Sequence, residues 1–184
     1  MAGPVYKLPV PTNATKDRVH IFAEEVAAKL SFAPGDPIEP LVNRLGGQIE
    51  YKNALDFKSH IPESIRIEPS RRFKIFLPSM GSSARYRFTV AHELGHFFLH
   101  FPIVSEFDPN AGMFATRWVD HSGDTDQLKR AEWEANWFAA AFLMPSTIFQ
   151  STLRSFNGDI VSVAARFGVS AQAAEIRAKT LSQS

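Results

Sequence analysis

The five residues His92-Glu93-Leu94-Gly95-His96 carry the plainest chemistry in the chain. Residues four apart on a helix lie one turn above one another on the same face, so this spacing presents two imidazoles to one point. Neutral imidazole suits zinc, at bond lengths of about 2.0–2.1 Å. Glu93 follows His92 by about 100° around the helix, beside such a metal and not on it. A carboxylate there can take a proton from an activated water. The alternative is a pair of core histidines satisfied without metal. Val90, Ala91, Leu94, Phe97, Phe98 and Leu99 surround the motif. Burying two imidazoles and a carboxylate among them is costly without a compensating partner, and a metal ion is such a partner.

A hydrolytic zinc site takes three protein ligands and leaves a fourth position open. The segment AEWEANWFAAAFLMP (131–145) offers Glu132 and Glu134, about 200° apart around a helix. Glu134 stands four residues after Arg130, the spacing of a surface ion pair. Glu132 shares a face with Asn136. Ala131, Ala135 and Ala139 form a stripe of small residues that lets this helix approach the first one closely, and residues 137–144 carry no charge. Glu132 is therefore expected as the third ligand, and Asn136 as the acceptor of a hydrogen bond from the far nitrogen of one histidine. His100 would sit two turns above His92, too far along the axis to share its metal, and is read as structural. His20 and His60 have no companions at ligand spacing and are read the same way. His121, Tyr86 and Tyr51 are alternatives for a group that assists a developing oxyanion, and the sequence does not choose among them.

These residues must be positioned by the elements around them. Residues 1–14 hold three prolines and read as an extended arm or partly ordered tail. From Thr15 a helical period begins, with Ile21, Phe22, Val26 and Leu30 as its apolar positions. A short helix is expected over IEPLVNRLG (38–46), ended by Gly46-Gly47. Strands are expected at QIEYK, SIRIE and FKIFLP. The motif helix spans about 84–101 and is ended by Pro102. Residues 103–124 read as a long loop. The second long helix spans about 125–144, and two short helices follow, near 160–167 and after Ser170. A small sheet beside helices is an α+β layout. The aromatic set Phe97, Phe98, Trp133, Trp137, Phe138 and Phe142 reads as core packing.

The segments RFTVAHELGHFFLH (87–100) and EWEANWFAAAFLMP (132–145) resemble the ImmA/IrrE family of zinc metallopeptidases. The likeness extends more weakly over most of the chain beyond the arm. The resemblance implies a zincin-like, gluzincin-type α+β domain, with two histidines and a glutamate from an ExxxN helix, here His92, His96 and Glu132. It implies zinc as cofactor, Glu93 as the catalytic base, and cleavage of a protein, often a helix-turn-helix transcriptional repressor. On this reading the chain divides into an arm (1–14), a zincin-like metallopeptidase domain (15–157) and a C-terminal helical segment (158–184). The substrate is expected to lie extended against the edge of the sheet, with FKIFLP as the edge strand.

The bulk composition restricts the alternatives. With no cysteine among 184 residues there is neither a disulfide framework nor a thiolate zinc site. Twenty basic and nineteen acidic residues leave a net charge of +1, which gives no electrostatic case for nucleic acid or a membrane surface. No signal peptide or membrane-spanning stretch is visible, and a cytoplasmic setting is expected. The C-terminal VSVAARFGVSAQAAEIRAKTL has a helix-turn-helix look, but its second helix offers only Arg177 and Lys179 as bases, so direct nucleic-acid binding is not expected. The competing function is a catalytically silent zinc module that acts by contact with a repressor or DNA.

Overall fold

The computed structural model of the chain describes residues 3–53, 63–116 and 125–183. His60 and His121 therefore lie outside the described residues. A five-stranded sheet has the order β1-β5-β3-β4-β2, built from β1 (Tyr6–Lys7), β2 (Gly47–Lys52), β3 (Glu63–Ile67), β4 (Phe73–Pro78) and β5 (Gly112–Thr116). Strand β3 runs antiparallel to β4 and β5, while β2–β4 and β1–β5 are parallel. Ile65, Ile67, Phe73, Ile75, Leu77 and Met113 are buried on the sheet, with Ile65 facing Ile75 and Ile67 facing Phe73 across the ladder. Lys74, Arg66 and Glu50 stand exposed. The alternation is that of a sheet with one wet face.

Two expectations fail here. FKIFLP is β4, paired on both sides by β3 and β2, and so is not an edge strand. Its apolar content reflects the burial of Phe73, Ile75, Phe76 and Leu77, not a free edge. The span 103–124 is not all loop, since α4 (Phe101–Phe107) and β5 fall within it. β5 has no strong alternation of its own and owes its form to pairing with β3 and β1. The arm supplies β1, and its prolines suit an edge, where a missing backbone donor is tolerated.

Helix α1 (Lys16–Lys29) starts at Thr15, whose side chain accepts from the Arg18 backbone N–H. Its inward face is Val19, His20, Ala23, Val26 and Ala27; Ile21 is exposed, so the apolar face lies to one side of the one expected. Helix α2 (Ile38–Arg44) precedes β2. Helix α3 (Ser83–Gly95) carries the motif and is capped by Ser82, which accepts from Arg85 N–H. It does not stop at Pro102. His96–His100 form a π-helical turn, with Phe101 N–H bonding to His96 C=O, and α4 continues from it. Proline has no N–H and its ring crowds the carbonyl four residues back, so the widened turn carries the chain past it. Helix α5 (Thr125–Leu143) lies alongside α1 and α3.

Helices α6 (Ser146–Ser155), α7 (Ile160–Phe167) and α8 (Ala171–Ser182) close the described chain. Gly168, in the left-handed region at φ 65°, ends α7, and Ser170 caps α8 by accepting from Ala173 N–H. The base that would have reached nucleic acid from α8 is turned inward. Arg177 is 1% exposed and donates to Met144 C=O (3.0 Å), to His20 Nδ1 (3.3 Å) and to Glu24 (2.9 Å). Glu24 also accepts from Ser146 N–H and its hydroxyl, so α1 caps the start of α6. One buried cation thus joins α8 to α1 and to the α5–α6 junction.

Removing that cation leaves Glu24 and His20 without it. Arg177→Met is expected to destabilise the fold by about 3 kcal/mol, read as a lower urea midpoint; an unchanged midpoint would mean the cluster contributes nothing. Burial, then the neighbouring Arg177, pushes the His20 pKa down to about 4. The folded state therefore resists protonation that the unfolded chain accepts at about 6.5. Stability from neutral His20 is complete above pH 6.5 and is lost as pH falls from there toward 4, by about 3 kcal/mol. The urea stability of His20→Gln should fall less than that of wild type across this window, and parallel curves would exclude the linkage.

Candidate metal centre

Helices α3 and α5 meet at Gly95. A Cβ added there would stand 3.0 Å from the Ala135 Cα and 3.2 Å from its carbonyl oxygen. Ala131, Ala135 and Ala139 are fully buried along the facing stripe. This approach brings Glu132 onto the histidine pair. Glu132 Oε2 lies 3.2 Å from His92 Nε2, Glu132 Oε1 lies 3.1 Å from His96 Nε2, and the two Nε2 atoms are 3.2 Å apart. For bonds of about 2.0–2.1 Å at tetrahedral angles, ligand atoms stand roughly 3.3 Å from one another. The two imidazole nitrogens and the Glu132 carboxylate, one oxygen turned to each ring, are therefore spaced for one zinc-sized ion, and these three residues could hold a metal. The His96 side chain is fully buried, while His92 and Glu132 are 15% and 28% exposed, so the open side of the triad faces out past them.

The electrostatics fit a site that wants a cation. Burial opposes a charge on Glu132, but hydrogen bonds with His92 and His96 hold its pKa well below the usual carboxylate range. Burial pushes His96 down to about 4. Burial also opposes a charge on His92, yet Glu132 and then Glu93 raise it to about 9. Two imidazole nitrogens and a carboxylate this close together are satisfied at once by a divalent ion.

Asn136, one turn beyond Glu132 on α5, places its Oδ1 3.0 Å from His92 Nδ1. Glu93 is buried, and the Ser64 hydroxyl donates to it at 3.0 Å. Ser64 had no sequence signal: strict alternation puts it with Arg66 on the outer face. The β3–β5 register shifts between Glu63 and Ile65, and Ser64, at that irregularity, is buried. Tyr51 and Tyr86 pack against one another, ring centroids 6.0 Å apart, and neither is hydrogen-bonded to the triad among the described residues. The aromatic set is mostly core, but Trp133 is 55% exposed. With Trp137, Phe88, Thr89, Ile176 and Asn136 it lines a cleft of about 840 Å³ between α3, α5 and α8.

The residue that sequence reasoning placed wrongly is Glu134, while His100, read as structural, lies outside the triad. The ion pair with Arg130 forms (3.0 Å), but not at the surface: the Glu134 side chain is fully buried. Its Oε2 lies 3.1 Å from His100 Nε2 and accepts from Thr12 N–H (2.8 Å) and the Thr12 hydroxyl (2.9 Å). Burial works against its charge, but these donors hold its pKa down to about 2. His100 in turn places Nδ1 3.0 Å from His96 Nδ1. The four-residue spacing of His92, His96 and His100 was the available signal for that contact. Nothing local pointed to Thr12, which is 122 residues from Glu134.

An α+β chain whose paired helices converge two histidines and a glutamate on one metal-sized point is the class that fold and site define. The chain belongs to the Peptidase_M78 family: the family model, described as the IrrE N-terminal-like domain, matches residues 43–179. The resemblance to the ImmA/IrrE family read from the motifs is thereby borne out. Among solved structures, a Mycobacterium tuberculosis transcriptional regulator is similar at 16% identity and a TM-score of 0.55. The match covers 85% of this chain and 45% of that one, so this chain spans less than half its length. No curated protein sequence matches the chain.

Elemental analysis of the protein is expected to give about one zinc per chain, lost or strongly reduced in Glu132→Gln. Full zinc retention by that variant would remove Glu132 from the site.

Proposed function

We propose that the protein is a zinc-dependent endopeptidase in which His92, His96 and Glu132 hold the metal and Glu93 is the general base. The observation that carries this reading is the spacing of 3.1–3.2 Å between the two imidazole Nε2 atoms and from each of them to a Glu132 carboxylate oxygen, with one side open to solvent. Membership of a peptidase family supports it. Bound zinc supplies a Lewis acid for the scissile carbonyl and lowers the pKa of a water toward about 7. Glu93 is the residue that would accept a proton there and return it to the leaving amine. The Ser64 hydroxyl, on one carboxylate oxygen of Glu93, keeps that side chain from turning away. Asn136 fixes the far nitrogen of His92.

The substrate belongs in the cleft that Asn136 shares with Trp133 and Trp137, not along β4, which is paired on both sides. Its exposed indole and apolar walls suit a protein segment. Residues 1–14 as an arm, 15–157 as a zincin-like catalytic domain and 158–184 as a helical wall of the cleft remain part of the proposal. So does the substrate, a helix-turn-helix transcriptional repressor, for which the family resemblance is the support, with a cytoplasmic setting to match. The similar solved chain carries the name of a transcriptional regulator. Among the described residues no helix is long and apolar enough to cross a membrane.

Incubating the zinc-loaded protein with repressors encoded near its gene should cut one of them at a defined bond. Glu93→Gln should keep its zinc and lose at least about 10²-fold in rate. Undiminished cleavage by that variant would exclude Glu93 as the base. Zinc-loaded wild type that binds a repressor without cutting it would favour the silent, contact-acting module.

A further inference from the structure

We propose that His100 and Glu134 are positioning residues that hold His96 in one tautomer toward the metal, and that the N-terminal arm, through Thr12, is part of the same support. The inference rests on the metal reading above and goes beyond it, because neither His100 nor Glu134 touches the triad's open point.

The argument is one of proton direction along a buried line. His96 turns Nε2 to Glu132 and His92, at 3.1 and 3.2 Å. To offer a lone pair there, a neutral ring must carry its proton on Nδ1. The partner of that Nδ1 is His100 Nδ1, 3.0 Å away, which must then be bare and accept. The His100 proton is thereby forced onto Nε2, where it donates to Glu134 Oε2 at 3.1 Å. Every link depends on the last acceptor being a carboxylate, which accepts only. The side chains of His96, His100 and Glu134 are fully buried, so water does not compete for these bonds. A histidine ligand whose far N–H is held in this way is oriented and made more basic.

Glu134 is itself fixed by donors from two directions. Arg130 reaches Oε1 from one turn earlier on α5, and Thr12 gives Oε2 both its N–H and its hydroxyl. Arg130 also donates to Ala14 C=O, which ties the same arm segment down a second time. The arm, anchored upstream by β1 on β5, ends on the group that sets the proton order at His96.

The test compares His100→Phe with His100→Gln in the full-length chain. Phenylalanine fills the space but leaves the His96 Nδ1–H without an acceptor. Glutamine offers a carbonyl to accept it and an N–H for Glu134. Zinc affinity is measured by chelator competition, and the cobalt(II)-substituted absorption spectrum is recorded alongside the unfolding midpoint of the metal-free proteins. His100→Phe is expected to weaken zinc about 10–100-fold and to alter the cobalt spectrum. His100→Gln should recover most of the affinity even where its metal-free form is the less stable of the two. Thr12→Val, which removes the hydroxyl that donates to Glu134 and accepts from the Ala14 N–H but keeps the Thr12 N–H donor, should weaken zinc in the same direction by less. Wild-type affinity in His100→Phe, or a glutamine variant no better than phenylalanine, overturns the inference and leaves the metal site standing. Wild type that takes up no zinc overturns both.

Discussion

The backbone contact between α3 and α5 at Gly95 and Ala135 is the constraint on which the site depends. A helix pair separated by ordinary side chains keeps its axes about 8–10 Å apart. Here one partner has no side chain and the other a single methyl, and a Cβ at 95 would already crowd the opposing backbone at 3.0 Å. Glycine costs a helix roughly 1 kcal/mol relative to alanine. That cost is offset by what the closeness permits: a short carboxylate side chain, one turn before Ala135, reaches both imidazoles. The sheet stands behind α3, and Phe138 and Phe142 fill the other side of α5 in a stacked run with Phe32. Neither helix has room to retreat.

The second consequence is that α5 carries two buried or half-buried acids two residues apart without conflict. Their separation of about 200° sends Glu132 toward His92 and His96 and Glu134 toward His100. Each carboxylate is matched by donors, as burial requires. Glu134 takes four: His100, Arg130 and two from Thr12. Arg87 shows the contrast. Among the described residues its guanidinium donates to the carbonyl of Asp36 and lies over the Phe32 ring, while its Nε and Nη2 are buried with no hydrogen-bond partner. Burial accordingly lowers its pKa, against the pull of Asp36 and Glu39. The polar line from His96 to Thr12 is complete where the Arg87 surroundings are not.

Local patterns made the site legible because its core is helical. His92, Glu93, His96, Glu132, Asn136 and the alanine stripe all announce themselves by spacing within one helix or the other, and the structure brings the histidines, Glu132 and Asn136 together. What was not legible was whatever rests on long-range pairing. The strand β5 and the interior place of β4 follow from tertiary pairing, which a single strand's pattern does not contain. Pro102 reads as a stop, but a π turn absorbs it. Ser64 reaches Glu93 only because the strand register slips beside it. Glu134 looked like half of a surface pair because an i, i+4 spacing is blind to burial. Thr12, on an arm read as a possible loose tail, closes that pair from 122 residues away.

These contacts give the centre two unlike sides. On one side the His96, His100 and Glu134 side chains are fully buried and joined by contacts of 3.0 and 3.1 Å. On the other, His92 and Glu132 keep some exposure, and Asn136, which steadies His92, is also a wall of the cleft holding Trp133 and Trp137. The proposed hydrolytic centre would need both properties, since a ligand set that wanders loses its metal and one that is closed all round admits no substrate. Division of labour between the two histidines reconciles them. His96 is held by protein alone, while the support of His92 is shared with the surface where a substrate would lie. A segment entering the cleft would therefore meet the metal's environment through Asn136, and through it His92, and leave the sealed side undisturbed.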